Sequence, residues 1–447
     1  MEYNNEYNLD LYPKKLHWKE GDLTATRTTM WSGPGCHEGC QVIFYTDDDG
    51  KLVKVEGDPN SPFNQGRLCM RCLELPELVN HEERLRYPMK RAGKRGEDKW
   101  ERVSWDEAYD IIEEKVRAFQ EKDGPESIIS MIGTGRNVSQ VIAHNQYANF
   151  GGPDLTLCFL SGDSCMLPRT ALCYVVMGNQ WVADMSQFRP DRYENDPEWQ
   201  IPECIVIWGT NPVVCNSDAF LGHWIVEAMK RGSELVTIDP QLTWIASKSK
   251  YWLRLRPGTD AALALGMMKV IIEEDLYDHE FVDLWCFGFD DLAKRVKTMP
   301  PEKAAEICEI PAEQIYKLAR LYATSKPAAI AWGVSIDQSP NGSQAGQAIL
   351  ALMSITGNID VPGGQVLVSV SGGDGGKQED IDSVGWPEMK QELKEAIIGH
   401  EEYPFYTGGL KMSQADRQLD ALETGKPYPI HFTWIGETNL IAPTCSA

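Results

Sequence analysis

Four cysteines fall within thirty-seven residues near the start of the chain, Cys36 with Cys40 and Cys69 with Cys72. Two close pairs joined by a foldable segment are what a thiolate metal site requires, with two sulfurs from each turn converging on one ion or cluster. On spacing alone, zinc and an iron–sulfur cluster are both open. Two further stretches are apolar runs that break into glycine and asparagine: IVIWGTNP (205–212) and FTWIGETNL (432–440). In open α/β sheets such strand ends admit phosphates, because small residues and backbone N–H groups face the ligand. One such turn is weak evidence; two in separate regions suggest a pair of related nucleotide-binding units.

The elements that must position these groups alternate along the chain. Residues 1–25 lack clear periodicity and read as an extended arm. QVIFYT and KLVKVEGD read as a hairpin closed by the acidic turn DDDG. A helix is predicted from Ser104, with Glu107 as its capping-box partner. After it, ESIISMIGTG, ECIVIWGTNPV, SELVTIDP, YWLRLRPGTD and PAAIAWGVS read as strands. They are separated by helices such as DAFLGHWIVEAMKRG, AALALGMMKVIIEED and NGSQAGQAILALMSITG. Long alternation with apolar strands predicts doubly wound parallel sheet. Residues 380–425 are acidic and partly helical.

At 447 residues the chain predicts roughly two to four domains. Its net charge of −23 argues against nucleic acid or an anionic membrane as the main partner. No apolar run approaches the roughly 18 residues that span a bilayer, so the chain is expected not to be transmembrane. The polar N-terminus lacks an export pattern, which predicts a cytoplasmic protein. Without export, twelve cysteines read as metal ligands, catalytic thiols or buried hydrophobes rather than disulfides.

Together these motifs resemble the dimethyl-sulfoxide-reductase family of bis-molybdopterin-guanine-dinucleotide oxidoreductases. The resemblance rests on GPGCHEGC, DGKLVKVEGDP and NQGRLC; on IVIWGTNP, VTIDPQLTWIA and LRPGTDAALALG; and on WGVSIDQSPNGSQAGQAILALMSITGNIDVPGG. The style of GPGCHEGC and GDSCMLPRT is similar to the branch holding acetylene hydratase, pyrogallol transhydroxylase and catechol dehydroxylases. The resemblance implies an α/β chain: a small antiparallel iron–sulfur domain (26–85) followed by two Rossmann-like domains. The latter are expected over 156–325, for the first dinucleotide, and over 86–155 plus 326–447, for the second. It also implies that the family's last domain is missing, so that the chain is truncated at its C-terminus.

What the resemblance implies for the site is specific. A [4Fe–4S] cluster is held by Cys36, Cys40 and Cys69; Gly33 stands where the family has its first cysteine. The fourth ligand is open between Cys72 and His37, as are a three-iron cluster and no cluster at all. Arg71 occupies the basic position between cluster and pterin. Cys165 is the expected protein ligand to molybdenum or tungsten, with Asp163 and Ser164 as neighbouring alternatives. Gly209, Asn211 and Pro212 form the first phosphate turn, followed by Asp239, Pro240 and Thr243. Pro257, Gly258 and Asp260 come next, Asp260 pairing with guanine or capping a helix. Gly333, Gly436 and Asn439 are assigned to the second dinucleotide. His144, Arg169, Asp184 and His223 are candidate acid/base groups near the metal.

The implied activity is a two-electron oxygen or hydroxyl transformation of a small organic substrate, such as an aromatic hydroxyl compound. A ferredoxin-like iron–sulfur protein is the expected partner. The alternatives are a non-redox hydratase or transhydroxylase, a non-catalytic iron–sulfur or zinc protein, and a Rossmann-like nucleotide-binding module of another class.

Overall fold

A computed structural model of the chain describes residues 16–30, 39–61, 64–133, 142, 145–157, 167–184, 200–214, 221–367, 389, 391–404, 407–408 and 411–436. Strands β1 (His17–Glu20), β2 (Leu23–Met30), β3 (Cys40–Thr46) and β4 (Leu52–Gly57) form an antiparallel sheet in that order. The extended arm expected over residues 1–25 is therefore corrected from His17 onward. Trp18, Leu23 and Ala25 pack with Ile43 and Tyr45 into a small core. Alternation in the threonine-rich β2 is muted, because most of its residues are only half-buried.

Short helices α1 (Met70–Leu73) and α2 (Leu75–Asn80) follow, then the hairpin β5 (Met89–Arg91) and β6 (Trp100–Arg102). Helix α3 (Trp105–Asp123) begins where expected: the Ser104 side chain accepts from the Glu107 N–H at 3.0 Å. The Glu107 carboxylate bonds Lys90.

Strands β7 (Ile128–Ile132) and β8 (Asp154–Leu157) are parallel neighbours. Helix α4 (Leu167–Met177) and strand β9 (Trp181–Ala183) lead to the central unit. It comprises β10 (Cys204–Trp208), α5 (Leu221–Lys230), β11 (Glu234–Ile238), α6 (Trp244–Lys248), β12 (Tyr251–Leu253) and α7 (Asp260–Glu273). Helices α8 (His279–Trp285), α9 (Phe289–Val296), α10 (Pro301–Cys308) and α11 (Ala312–Thr324) precede β13 (Ala328–Trp332). Helices α12 (Val334–Asp337) and α13 (Gly342–Ile355) then lead to β14 (Gln365–Leu367), which pairs with β9. Helices α14 (Gln391–Ala396) and α15 (Ala415–Thr424) precede the last strand, β15 (Phe432–Gly436).

The central sheet runs β12-β11-β10-β13, all parallel. β10 is buried on both faces, and its alternation separates two cores. Cys204, Val206 and Trp208 face the larger core, built with α7, α11 and α13. Ile205 and Ile207 face the smaller one, where α5 contributes Ile225 and Ala228. A second parallel sheet runs β15-β7-β8. It joins residues some three hundred apart, and Met389 and Ile397 pack on its Ile132 and Leu155.

One boundary is corrected. β13 was grouped by sequence with the C-terminal segment, yet it pairs with β10, Cys204 opposite Ala328 through Trp208 opposite Trp332. Ala328 and Ile330 on β13 and Ile349 and Leu352 on α13 fill the larger core, so these elements belong with the central sheet.

Candidate functional site

The cysteine segment is positioned by one buried side chain, Asn64. Its amide donates to the carbonyls of Gln41 and Arg67, each at 3.0 Å, while its Oδ1 accepts from the Gln41 N–H. The loop after β4 is thereby fixed beside the start of β3, where Cys40 sits. A buried ion pair between Arg27 and Asp58 at 2.6 Å holds the base of the same loop. Gly57 is required at the crossing, because a Cβ there would meet Gly66 backbone at 2.5 Å.

Cys69 then caps α1 from extended backbone, and Cys72 lies one turn later. Cys40 and Cys72 are buried, Cys69 is half-buried and Arg71 is exposed. Cys36 lies outside the described residues, as do Gly33 and His37. Among the described residues, no group of three His, Cys, Asp or Glu side chains is placed to hold a metal ion. What supports a cluster here is three cysteines, two of them buried, on one stapled loop system.

Other cysteines behave as core residues. Burial raises the thiol of Cys173, and pushes Cys204 up to about 12 and Cys308 up to about 11. A thiol held protonated is neither nucleophile nor metal ligand.

The second part of the site lies at the carboxyl ends of the central strands. The order β12-β11-β10-β13 reverses direction between β10 and β13, the point at which open α/β sheets bind ligands. Gly209 leaves β10 with φ of +60° and Gly333 leaves β13. The Gly333 N–H donates to the Trp208 carbonyl at 2.9 Å, and the Ser335 hydroxyl donates to the Gly209 carbonyl at 2.6 Å. A Cβ on Gly333 would lie 2.4 Å from the Gly209 oxygen and from Thr210 Cβ; one on Gly209 would lie 2.1 Å from the Ser335 oxygen. The two turns, assigned by sequence to different dinucleotides, therefore touch.

Asn211 follows, and its Oδ1 is buried without a hydrogen-bond partner among the described residues. An orphaned acceptor in this position is an opening for a ligand N–H or O–H. Gly222 lets α5 close on the buried Pro212, whose carbonyl oxygen would be 2.7 Å from an added Cβ.

The remaining candidates line neighbouring turns. The Asp239 carboxylate accepts from the Gln241 N–H at 2.7 Å, and partial burial raises its pKa. Pro240 and Pro257 are exposed, while Thr243 is buried and caps α6. The Gly258 carbonyl accepts from Asn341 at 3.0 Å, which ties the turn after β12 to the one after β13. Asp260 is buried in the first turn of α7 and accepts from the Trp208 indole at 2.8 Å. Desolvation raises its pKa, and the indole bond opposes that rise. Gly436 ends β15, far along the sequence from Gly209, with its carbonyl accepting from the Gly133 N–H at 2.9 Å.

Two of the acid/base candidates make hydrogen bonds that join distant segments. Arg169 donates through its backbone N–H and Nε to Asp337, at 2.9 and 2.5 Å, and through Nη1 to the Trp332 carbonyl at 2.6 Å. It fastens the start of α4 to the end of β13. Asp184 is buried and accepts from the Gly363 N–H at 3.1 Å, which closes the PGG turn. His223 on α5 has its pKa lowered by burial, with Arg67 adding to the effect. His144, Asp163, Ser164, Cys165 and Asn439 lie outside the described residues.

Sequence reasoning missed Ser335, Asp337 and Asn341. The available signal was the polar run VSIDQSPN between an apolar strand and an apolar helix.

Among the described residues, no helix is long and apolar enough to cross a membrane. Residues 84–425 match the family model for molybdopterin oxidoreductase, and residues 34–81 match that for the molybdopterin oxidoreductase Fe4S4 domain. Acetylene hydratase of Syntrophotalea acetylenica is 33% identical over 429 residues, covering 88% of this chain and 54% of that protein. Dimethyl sulfoxide reductase DmsA of Escherichia coli (strain K12) is 33% identical over 375 residues, covering 75% and 44%. The solved acetylene hydratase from Pelobacter acetylenicus superposes with a TM-score of 0.79 at 30% identity, covering 93% of this chain and 57% of that one. The chain thus spans about half the length of these relatives. The matches establish an enzyme fold for a molybdenum or tungsten molybdopterin cofactor with a 4Fe–4S domain: this chain belongs to the molybdopterin oxidoreductase family.

Proposed function

We propose that this chain is the cofactor-binding portion of a bis-molybdopterin-guanine-dinucleotide enzyme that performs two-electron oxygen or hydroxyl chemistry on a small organic substrate. Electrons would pass through the [4Fe–4S] cluster of residues 36–72 to a ferredoxin-like iron–sulfur partner. The observation that carries this reading is the junction of the turns that leave β10 and β13. There Gly209 and Gly333 bring two backbone turns together beside the orphaned Asn211 acceptor.

When bound, the molybdenum or tungsten centre supplies a two-electron couple and a coordination position for substrate oxygen. The chain's own residues do the positioning. Backbone N–H groups after β10 and β13 take phosphate oxygens, and Asn211 Oδ1 accepts a ligand donor. Asp260, with one oxygen held by Trp208, presents its carboxylate for a guanine N–H. Arg169 fixes the start of α4, which begins two residues after Cys165, the proposed metal ligand, by locking onto Asp337. Cys72 completes the cluster in place of a ligand at Gly33.

Hydration without net redox is the second reading, favoured by the two acetylene hydratase matches. Metal-loaded chain is to be given reduced viologen with a panel of sulfoxides and phenols, and separately acetylene with no electron donor. Viologen oxidation that depends on one of the panel supports the main reading. Acetylene consumption alone moves the assignment to hydration, and inactivity on both at full metal loading contradicts both.

A further inference from the structure

In a chain of net charge −23, residues 84–102 carry eight Lys and Arg against three Asp and Glu. They form the β5–β6 hairpin and the segment leading into it. Lys90 is engaged by Glu101 and Glu107, and Lys99 by Glu97. Arg84, Arg86, Arg91, Lys94 and Arg95 have no ion-pair partner among the described residues. Beside them four large side chains stand in solvent: Leu85 at 80% exposure, Trp100 at 53%, Tyr87 at 51% and Met89 at 41%. Arg102 stacks on the Tyr87 ring at 3.3 Å, which fixes that ring on the surface. Arginine, tyrosine, tryptophan and methionine are the residue types enriched where proteins dock, and lysine-rich solvated faces lack the apolar members.

We propose that this hairpin, with Arg84–Tyr87, is the docking surface for a compact protein with an acidic face, an iron–sulfur electron carrier. Charge complementarity selects the acidic partner and steers its encounter. The basic patch begins at Arg84, twelve residues after Cys72, at the exit of the cysteine segment. The helix that follows it, α3, carries Asp106, Glu107, Asp110, Glu113 and Glu114. An extended polyanion or a membrane plane crossing the hairpin would run into that acidic face, whereas a small globular partner engages the hairpin alone. The choice of an electron carrier rests on the cluster reading above; binding is read without turnover, and the iron count of the same preparation reports on that reading separately.

The test uses the full chain, purified anaerobically, with a bacterial 2[4Fe–4S] ferredoxin as probe in biolayer interferometry. Binding is expected at about 0.01 M salt and should weaken on the order of tenfold at about 0.15 M. The triple variant R91E/K94E/R95E, all exposed positions, should weaken low-salt binding at least about tenfold with iron content and circular dichroism unchanged. Reversal at a distant exposed site, K294E/K317E, should leave binding as it was. The proposal is overturned if the wild-type chain does not bind ferredoxin at low salt, or if the triple variant binds as tightly. It is equally overturned if a DNA duplex or phosphatidylglycerol vesicles bind the hairpin in preference to ferredoxin.

Discussion

Replacing Arg169 by alanine removes the clamp between α4 and the end of β13. The Asp337 side chain is fully buried and that of Arg169 is 16% exposed. The substitution deletes the Nε bond to Asp337 and the Nη1 bond to the Trp332 carbonyl, and keeps the backbone N–H bond to Asp337. Breaking a buried pair from one side costs about 3–5 kcal/mol. The retained backbone bond and the partial exposure of Arg169 place this case near the lower end, at about 3 kcal/mol.

The loss has a sign with pH. Burial already raises the Asp337 pKa, with Arg169 opposing; without Arg169 it rises further. The folded carboxyl then holds its proton more tightly than the unfolded one, so the penalty is full above the folded pKa. It recedes as pH falls through that value toward the ordinary 3.8. Urea unfolding followed by tryptophan fluorescence should show Arg169→Ala weakened by about 3 kcal/mol at neutral pH, and by less as the pH is lowered toward the carboxylate range. A loss below about 1 kcal/mol, or one that grows toward acid pH, refutes the clamp.

Three further outcomes follow from particular contacts. Gly333→Ala should lose about 1–3 kcal/mol by thermal denaturation and lower the guanine nucleotide released on denaturation, because the added Cβ strikes the Gly209 turn. Gly408→Ala, where nothing among the described residues lies within 4 Å of an added Cβ, should change neither. Cys72→Ser should lower the iron content below about four per chain, while Cys308→Ser, whose thiol burial keeps protonated, should not. Asp154 is fully buried, bonded by Ser413, Tyr428 and the Ile398 N–H, and desolvation pushes its pKa up to about 6. Its folded pKa exceeds the unfolded one, so this group favours the folded state increasingly as pH falls through about 6; Asp154→Asn should flatten the urea midpoint over that window.

Local features of the site were legible in the sequence. The apolar run Ile205–Trp208 breaking into Gly209 marks a parallel strand end, and Ser104 with Glu107 marks a helix start. Pairing was not legible. Nothing local in PAAIAWGVS says that β13 lies beside β10, because parallel partners are chosen by the helices that cover both faces. The Arg169–Asp337 clamp joins residues 168 apart, so neither side chain announces its partner. Asp184 reads in sequence as a candidate acid/base group, and nothing near it announces the hydrogen bond it accepts from a backbone N–H 179 residues later. Strand β1 was hidden by its short length and mostly exposed residues, and the longer β2 by its largely half-buried ones.

The central claim is tested most directly by counting metals and nucleotide in full-length chain purified without oxygen. One molybdenum or tungsten, about four iron and releasable guanine nucleotide per chain are predicted. Protein free of both molybdenum and tungsten, or loaded with zinc alone and releasing no guanine nucleotide, would contradict the account.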